Sequence, residues 1–167
     1  ADFCRTIIEV QDPNGICNGT LALPAIAGKV FTENTEYVSE VEVDLAMNNN
    51  PLSNSMTGKD GYFAFMNLNA GNDYSIAPER GGDYMNGVST ADLVKIQRHL
   101  LGKEDLNSPY KIIAADANGS GSVSAGDISE LRKLILGVYA ELDKVNSWRF
   151  VPTSHTFQNS DNPWQGG

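Results

Sequence analysis

Asp116, Asn118, Ser120, Ser124 and Asp127 put oxygen-bearing side chains at positions 1, 3, 5, 9 and 12 of one twelve-residue stretch, DANGSGSVSAGD. Gly121 holds position 6 and Ser122 position 7. Calcium takes six to eight hard oxygen ligands at about 2.3–2.6 Å, and a loop that wraps it turns sharply at a glycine and offers the backbone carbonyl of position 7. Asp116, Asn118, Ser120, Ser124 and Asp127, with Ser122 through its backbone, are therefore the predicted ligands of a calcium site. A polar turn capping a helix would use some of the same residues. The simultaneous fit of position after position favours the ion.

The loop is one half of a repeat. Val88-Ser89-Thr90-Ala91-Asp92-Leu93 aligns with Val123-Ser124-Ala125-Gly126-Asp127-Ile128. The register continues through Ile96/Leu131, Arg98/Lys133, Leu100/Ile135, Leu101/Leu136 and Gly102/Gly137. Each copy reads as a loop, a helix with apolar residues at helical spacing, and a glycine that ends it. The second loop is similar to an EF-hand loop, except that Asp127 stands where that pattern has Glu. An acid one methylene shorter requires the following helix to begin closer to the ion. The pair of repeats, about residues 82–142, resembles a dockerin. The resemblance implies a non-catalytic calcium-binding module that docks a secreted protein onto a cohesin-like partner through its two helices. It also points to Thr90, Ala91, Arg98, Arg132 and Lys133 as partner contacts. The two faces are not alike in sequence, which argues against a symmetric two-way mode of binding.

The first loop departs from the pattern. With Asp92 at position 12, position 1 is Gly81 and position 5 is Met85. A glycine brings no side-chain oxygen, and a thioether is a poor donor to a hard cation. Asp83, Asn86, Ser89 and Asp92 could assemble a site on a shortened loop. Alternatively the loop is metal-free, with Ser89 as N-cap and Asp92 completing a capping box. His99, aligned with Leu134, reads as a half-buried surface histidine.

Upstream, Ala25–Thr32, Val38–Ala46, Ser53–Thr57, Tyr62–Met66 and Asp73–Pro78 alternate with period two, and Asn48-Asn49-Asn50-Pro51, Lys59-Asp60-Gly61 and Asn69-Ala70-Gly71-Asn72 separate them as turns. Ile26, Gly28 and Val30, the hairpin residues Asp60, Gly61, Phe63 and Phe65, and the strand residues Gly71, Tyr74 and Ile76 resemble a carboxypeptidase-regulatory-like or Cna-B-like domain. That resemblance implies a β-sandwich stalk or spacer. Lys29 falls on the face opposite Val30 and is expected to point to water, which leaves it outside any isopeptide bond.

The fold class expected is thus α+β: a small antiparallel β-sandwich packed against a dockerin-like pair of calcium loop–helix repeats. The segments expected are residues 1–22 (strand or hairpin), 23–80 (sandwich), 81–145 (dockerin-like) and 146–167 (strand and polar tail). Cys4 and Cys17 flank a strong turn, so a disulfide between them fits an extracellular setting.

The 167 residues carry a formal net charge of −9, which argues against nucleic-acid binding. No apolar run reaches the ~20 residues that span a bilayer. No signal peptide is visible, so the chain reads as a mature product or a fragment. Neither His99 nor His155 sits in a catalytic pattern, and no enzyme activity is expected. Two other functions fit the ends of the chain. The apolar runs at Ile7-Ile8-x-Val10 and Ser147–Val151 suit exchange of end strands between copies of itself into an extracellular filament, or a self-docked tail. Trp148 and Trp164 suit a carbohydrate-binding accessory module, although their Asn/Ser/Pro-rich surroundings favour an anchoring role.

Overall fold

The computed structural model describes residues 4–9 and 25–165. Its described residues divide into two compact units. One is drawn from Cys4–Arg80 and Phe150–Ser154, the other from Gly81–Arg149 and His155–Gly167. Of the proposed Cys4–Cys17 disulfide, Cys17 lies outside the described residues.

Among its described residues the first unit holds seven strands: β1 (Cys4–Glu9), β2 (Ile26–Thr32), β3 (Glu42–Met47), β4 (Asn50–Met56), β5 (Tyr62–Phe65), β6 (Tyr74–Glu79) and β7 (Phe150–Pro152). They form two sheets, ordered β5-β2-β1-β7 and β4-β3-β6. Alternation decides which side chains go inside. Val30 on β2 and Phe63 on β5, from the first sheet, are shielded from solvent, as are Val43 and Leu45 on β3, from the second. Buried residues contributed by both sheets are what the inner faces of a sandwich supply. Lys29 takes the other face of β2, with its ammonium 4.7 Å from the centre of the Tyr37 ring.

The strands lie near their expected places, with three instructive shifts. β3 begins at Glu42 because Val38 and Val41 belong to a buried crossing held by Thr57. The Thr57 hydroxyl donates to Val38 O at 2.9 Å and accepts from Val41 N at 2.9 Å. The four-residue Asn-rich turn shrinks to Asn48-Asn49, whose φ values of 50° and 65° suit a two-residue hairpin turn. Asn50 and Pro51 then open β4, where an edge position tolerates a residue with no N–H to give. The third shift concerns the ends of the chain. β1 pairs antiparallel with β2 and parallel with β7, so the two orphan apolar runs share one sheet and that sheet is not wholly antiparallel.

Among its described residues the second unit has three helices, α1 (Thr90–Leu100), α2 (Pro109–Ala115) and α3 (Ala125–Ile135), where the repeat alone leads one to expect two. α1 and α3 are the repeat helices. Their core is built from repeat-related partners: Ile96 and Leu131 are buried beside Val88 and Val123, and beside Leu93 and Ile128. Each helix ends in the same way. The amides of Lys103 and Val138 donate at 2.9 Å to Arg98 O and Lys133 O, closing the last turn around Gly102 and Gly137. α2 is the extra element. Ser108 caps it, Pro109 occupies its first turn, and Ile112 and Ala115 are buried.

Candidate calcium loops and docking face

α2 runs directly into the second loop. Its C-cap residue is Asp116, loop position 1, and α3 begins at Ala125, immediately after the N-cap Ser124. The loop therefore hangs between two helix ends, which fixes where its first and last carboxylates point. Asp116 is 1 % exposed and Asp127 is fully buried. Burying two carboxylates is costly unless their oxygens are met by donors or cations. Both are met by the loop's own backbone. Asp116 Oδ1 accepts from Ser120 N at 2.9 Å, and its Oδ2 from Gly121 N at 3.0 Å. Asp127 Oδ1 accepts from Asn118 N at 3.0 Å, while its Oδ2 takes Ser124 N at 2.7 Å and Ser124 Oγ at 3.0 Å.

These bonds coil the chain around a set of oxygens. Asn118 Oδ1 accepts from Ser120 N at 2.9 Å, and Ser120 Oγ lies 3.1 Å from Ser122 O. Gly121 has φ of 75°, which a side chain would strain, and a Cβ there would meet the Trp164 indole at 3.9 Å. Gly119 is also crowded, with Val145 Cγ1 3.2 Å from where its Cβ would stand. Among the described residues no three His, Cys, Asp or Glu side chains come together as a metal cluster. The second loop offers two carboxylates completed by amide, hydroxyl and carbonyl oxygens. That donor set is all oxygen and hard, and it fits calcium rather than a softer metal.

A cation stands beside this loop that sequence reasoning missed. Arg149 donates from Nη1 to Ile113 O at 2.8 Å and from Nη2 to Asp116 O at 2.6 Å. It thus covers carbonyls at the C-terminal end of α2, where a positive charge is favourable. Burial pushes its guanidinium below the usual arginine range, opposed by the negative charges of Asp116 and Asp127. Arg149 follows a tryptophan in a short apolar run, so its sequence context reads as strand and not as site.

The first loop is arranged differently. Asp83, Asn86 and Ser89 are exposed, and Asp92 is half-buried. Asn86 N bonds to Asp83 O at 3.3 Å and Val88 N to Met85 O at 3.2 Å, a turn built from backbone. Asp92 Oδ2 accepts from Ser89 N and Ser89 Oγ, both at 2.9 Å, and Lys95 lies 3.6 Å from its Oδ1. The capping box foreseen for this repeat is present, and the second repeat has one too, from Ser124 and Asp127.

On the outer faces, Thr90, Ala91, Arg98 and Arg132 are exposed and Lys133 is half-buried. Arg98 pairs with Glu104 at 3.0 Å. Lys133 reaches Glu130 at 2.9 Å and the Tyr139 hydroxyl at 3.3 Å, which raises its pKa above the ordinary lysine value. His99 is half-buried, with Nδ1 3.7 Å from Asp105. Sequence reasoning passed over two further side chains as ordinary repeat residues. Leu101 is 63 % exposed and Leu136 is 72 % exposed, at equivalent places just past the ends of α1 and α3.

No curated protein and no solved structure matches the chain. No helix among the described residues is long and apolar enough to cross a membrane. The family of the sheet unit is unidentified. Dockerin type I domains bind calcium and dock onto a cohesin partner, and proteins that bear them are extracellular or cell-surface. Residues 86–136, which begin past the irregular start of the first loop, match the model of the dockerin type I domain.

Proposed function

We propose that this chain is a non-catalytic extracellular module that attaches the protein carrying it to a cohesin, as in cellulosome assembly. The observation that carries the reading is the pair of outward-facing leucines. Leu101 and Leu136 stand at equivalent repeat positions, and large apolar side chains held in water at the ends of two related helices suit a protein partner. Thr90, Ala91, Arg98, Arg132 and Lys133 complete this face. Calcium would bind the second loop through Asp116, Asn118, Ser120, Ser124, Asp127 and the Ser122 carbonyl, joining the end of α2 to the start of α3. Asp83, Asn86, Ser89 and Asp92 form the weaker candidate in the first loop, because Asp83, Asn86 and Ser89 are exposed and the Asp92 oxygens are taken up by Ser89 and Lys95. The sheet unit serves as a spacer of the carboxypeptidase-regulatory-like or Cna-B-like kind.

The test is calorimetric titration of cohesin modules into the protein in calcium. Leu101→Asp with Leu136→Asp is expected to weaken binding at least about tenfold, the range of an interface anchor. Unchanged affinity in that double variant would remove the docking face from these helices. The strand-exchange and carbohydrate readings gain no support from the observed contacts. β1 pairs with β2 and β7 of its own chain, and Trp164 lies against Gly121.

A further inference from the structure

Two buried carboxylates in one short loop are a liability whenever calcium is absent. Backbone N–H groups reach the oxygens of both Asp116 and Asp127, but dipoles do not cancel the charge of two buried carboxylates. Arg149 brings a full positive charge to this place. Its fork is anchored on Ile113 O and on Asp116 O, so its position is set by the same residue that opens the loop. The segments on either side of it also lie against the loop. Val145 stands against Gly119 and Trp164 against Gly121. The first loop has no such arrangement, since its Asp92 is met by Lys95 at 3.6 Å with a largely exposed side chain.

We propose that Arg149 is a positioning residue of the second loop, a built-in counter-charge that keeps Asp116 and Asp127 assembled when calcium leaves. This rests on the reading that the second loop holds calcium. Guanidinium and ion then do overlapping work. With both present, the loop is held twice. With calcium removed, Arg149 alone keeps Ser120 N and Gly121 N bonded to Asp116. The consequence is a repeat whose fold depends less on calcium than two buried carboxylates would otherwise require.

The experiment is hydrogen exchange of peptides covering residues 116–127, in calcium and in EGTA, on the whole chain. The parent is compared with Arg149→Met and Arg149→Lys, and calcium binding is measured by calorimetry alongside. The parent is expected to stay protected in both buffers. Arg149→Met should be protected in calcium and exchange about tenfold faster than the parent in EGTA, as loss of a charged hydrogen-bonding group implies. Arg149→Lys, which keeps the charge, should lie close to the parent. A parent that loses protection in EGTA as fully as Arg149→Met overturns the proposal. So does Arg149→Met unprotected in both buffers, since Arg149 would then be a plain structural latch. Calorimetry separates the two levels. Calcium binding without this difference between variants defeats only the role of Arg149, whereas no calcium binding at all defeats the ligand assignment as well.

Discussion

Asp127 performs two tasks with one carboxylate. Oδ2 completes the capping box at the start of α3, and Oδ1 reaches back across the loop to Asn118 N. Asp116 does the complementary work from the other end, on Ser120 N and Gly121 N. Asp116→Ala is therefore expected to abolish calcium binding at the second loop, and also to destabilise the protein in EGTA by about 1–3 kcal/mol, the cost of stranding part-buried donors. Thermal unfolding in the two buffers checks both parts. Thr57 is the counterpart in the sheet unit. Thr57→Val keeps the shape but removes the hydroxyl that bridges Val38 O and Val41 N, and should cost about 1–3 kcal/mol in chemical denaturation. The loop carboxylates were legible in the sequence because calcium spacing is a local pattern. Arg149 was not, because its partners Ile113 and Asp116 lie more than thirty positions away and no local pattern links them.

The repeat helices could be foreseen from apolar spacing and from Gly102 and Gly137. α2 has only seven residues, too short for a periodic stripe, and Ser108-Pro109 was its one visible signal. Its presence matters, because it gives the second loop an entering helix whose end carries Asp116. Capping strength is the property to test here. Ser124 accepts from Gly126 N at 3.2 Å and donates to Asp127 Oδ2, so Ser124→Ala should lower stability by about 1 kcal/mol. The loss should grow in calcium if Ser124 is also a ligand. Equal losses with and without calcium would leave Ser124 as a cap alone. Strand limits were harder to read than helices. The pairing of β1 with β7 joins segments from opposite ends of the sequence, and alternation within either run says nothing about its partner.

For the molecule as a whole, the sequence conveyed an α+β class of small antiparallel sheets followed by loop–helix repeats, and its dockerin resemblance over about residues 82–142 contains the residues 86–136 that the family model matches. It did not show which outer residues stay apolar and unpartnered. Leu101 and Leu136 look like core positions in the repeat register, yet each falls just past its helix, where the chain turns away. The dockerin resemblance pointed instead to residues such as Arg98 and Lys133, and both already have acidic neighbours in Glu104 and Glu130. The most direct test of a calcium-supported docking module is titration of a panel of cohesins into the parent chain in calcium, repeated in EGTA. The expected result is saturable one-to-one binding to at least one cohesin in calcium, weakened in EGTA and at least tenfold weaker with both leucines replaced by Asp. No binding across the panel by calcium-loaded protein, or binding indifferent to both leucines, would contradict it.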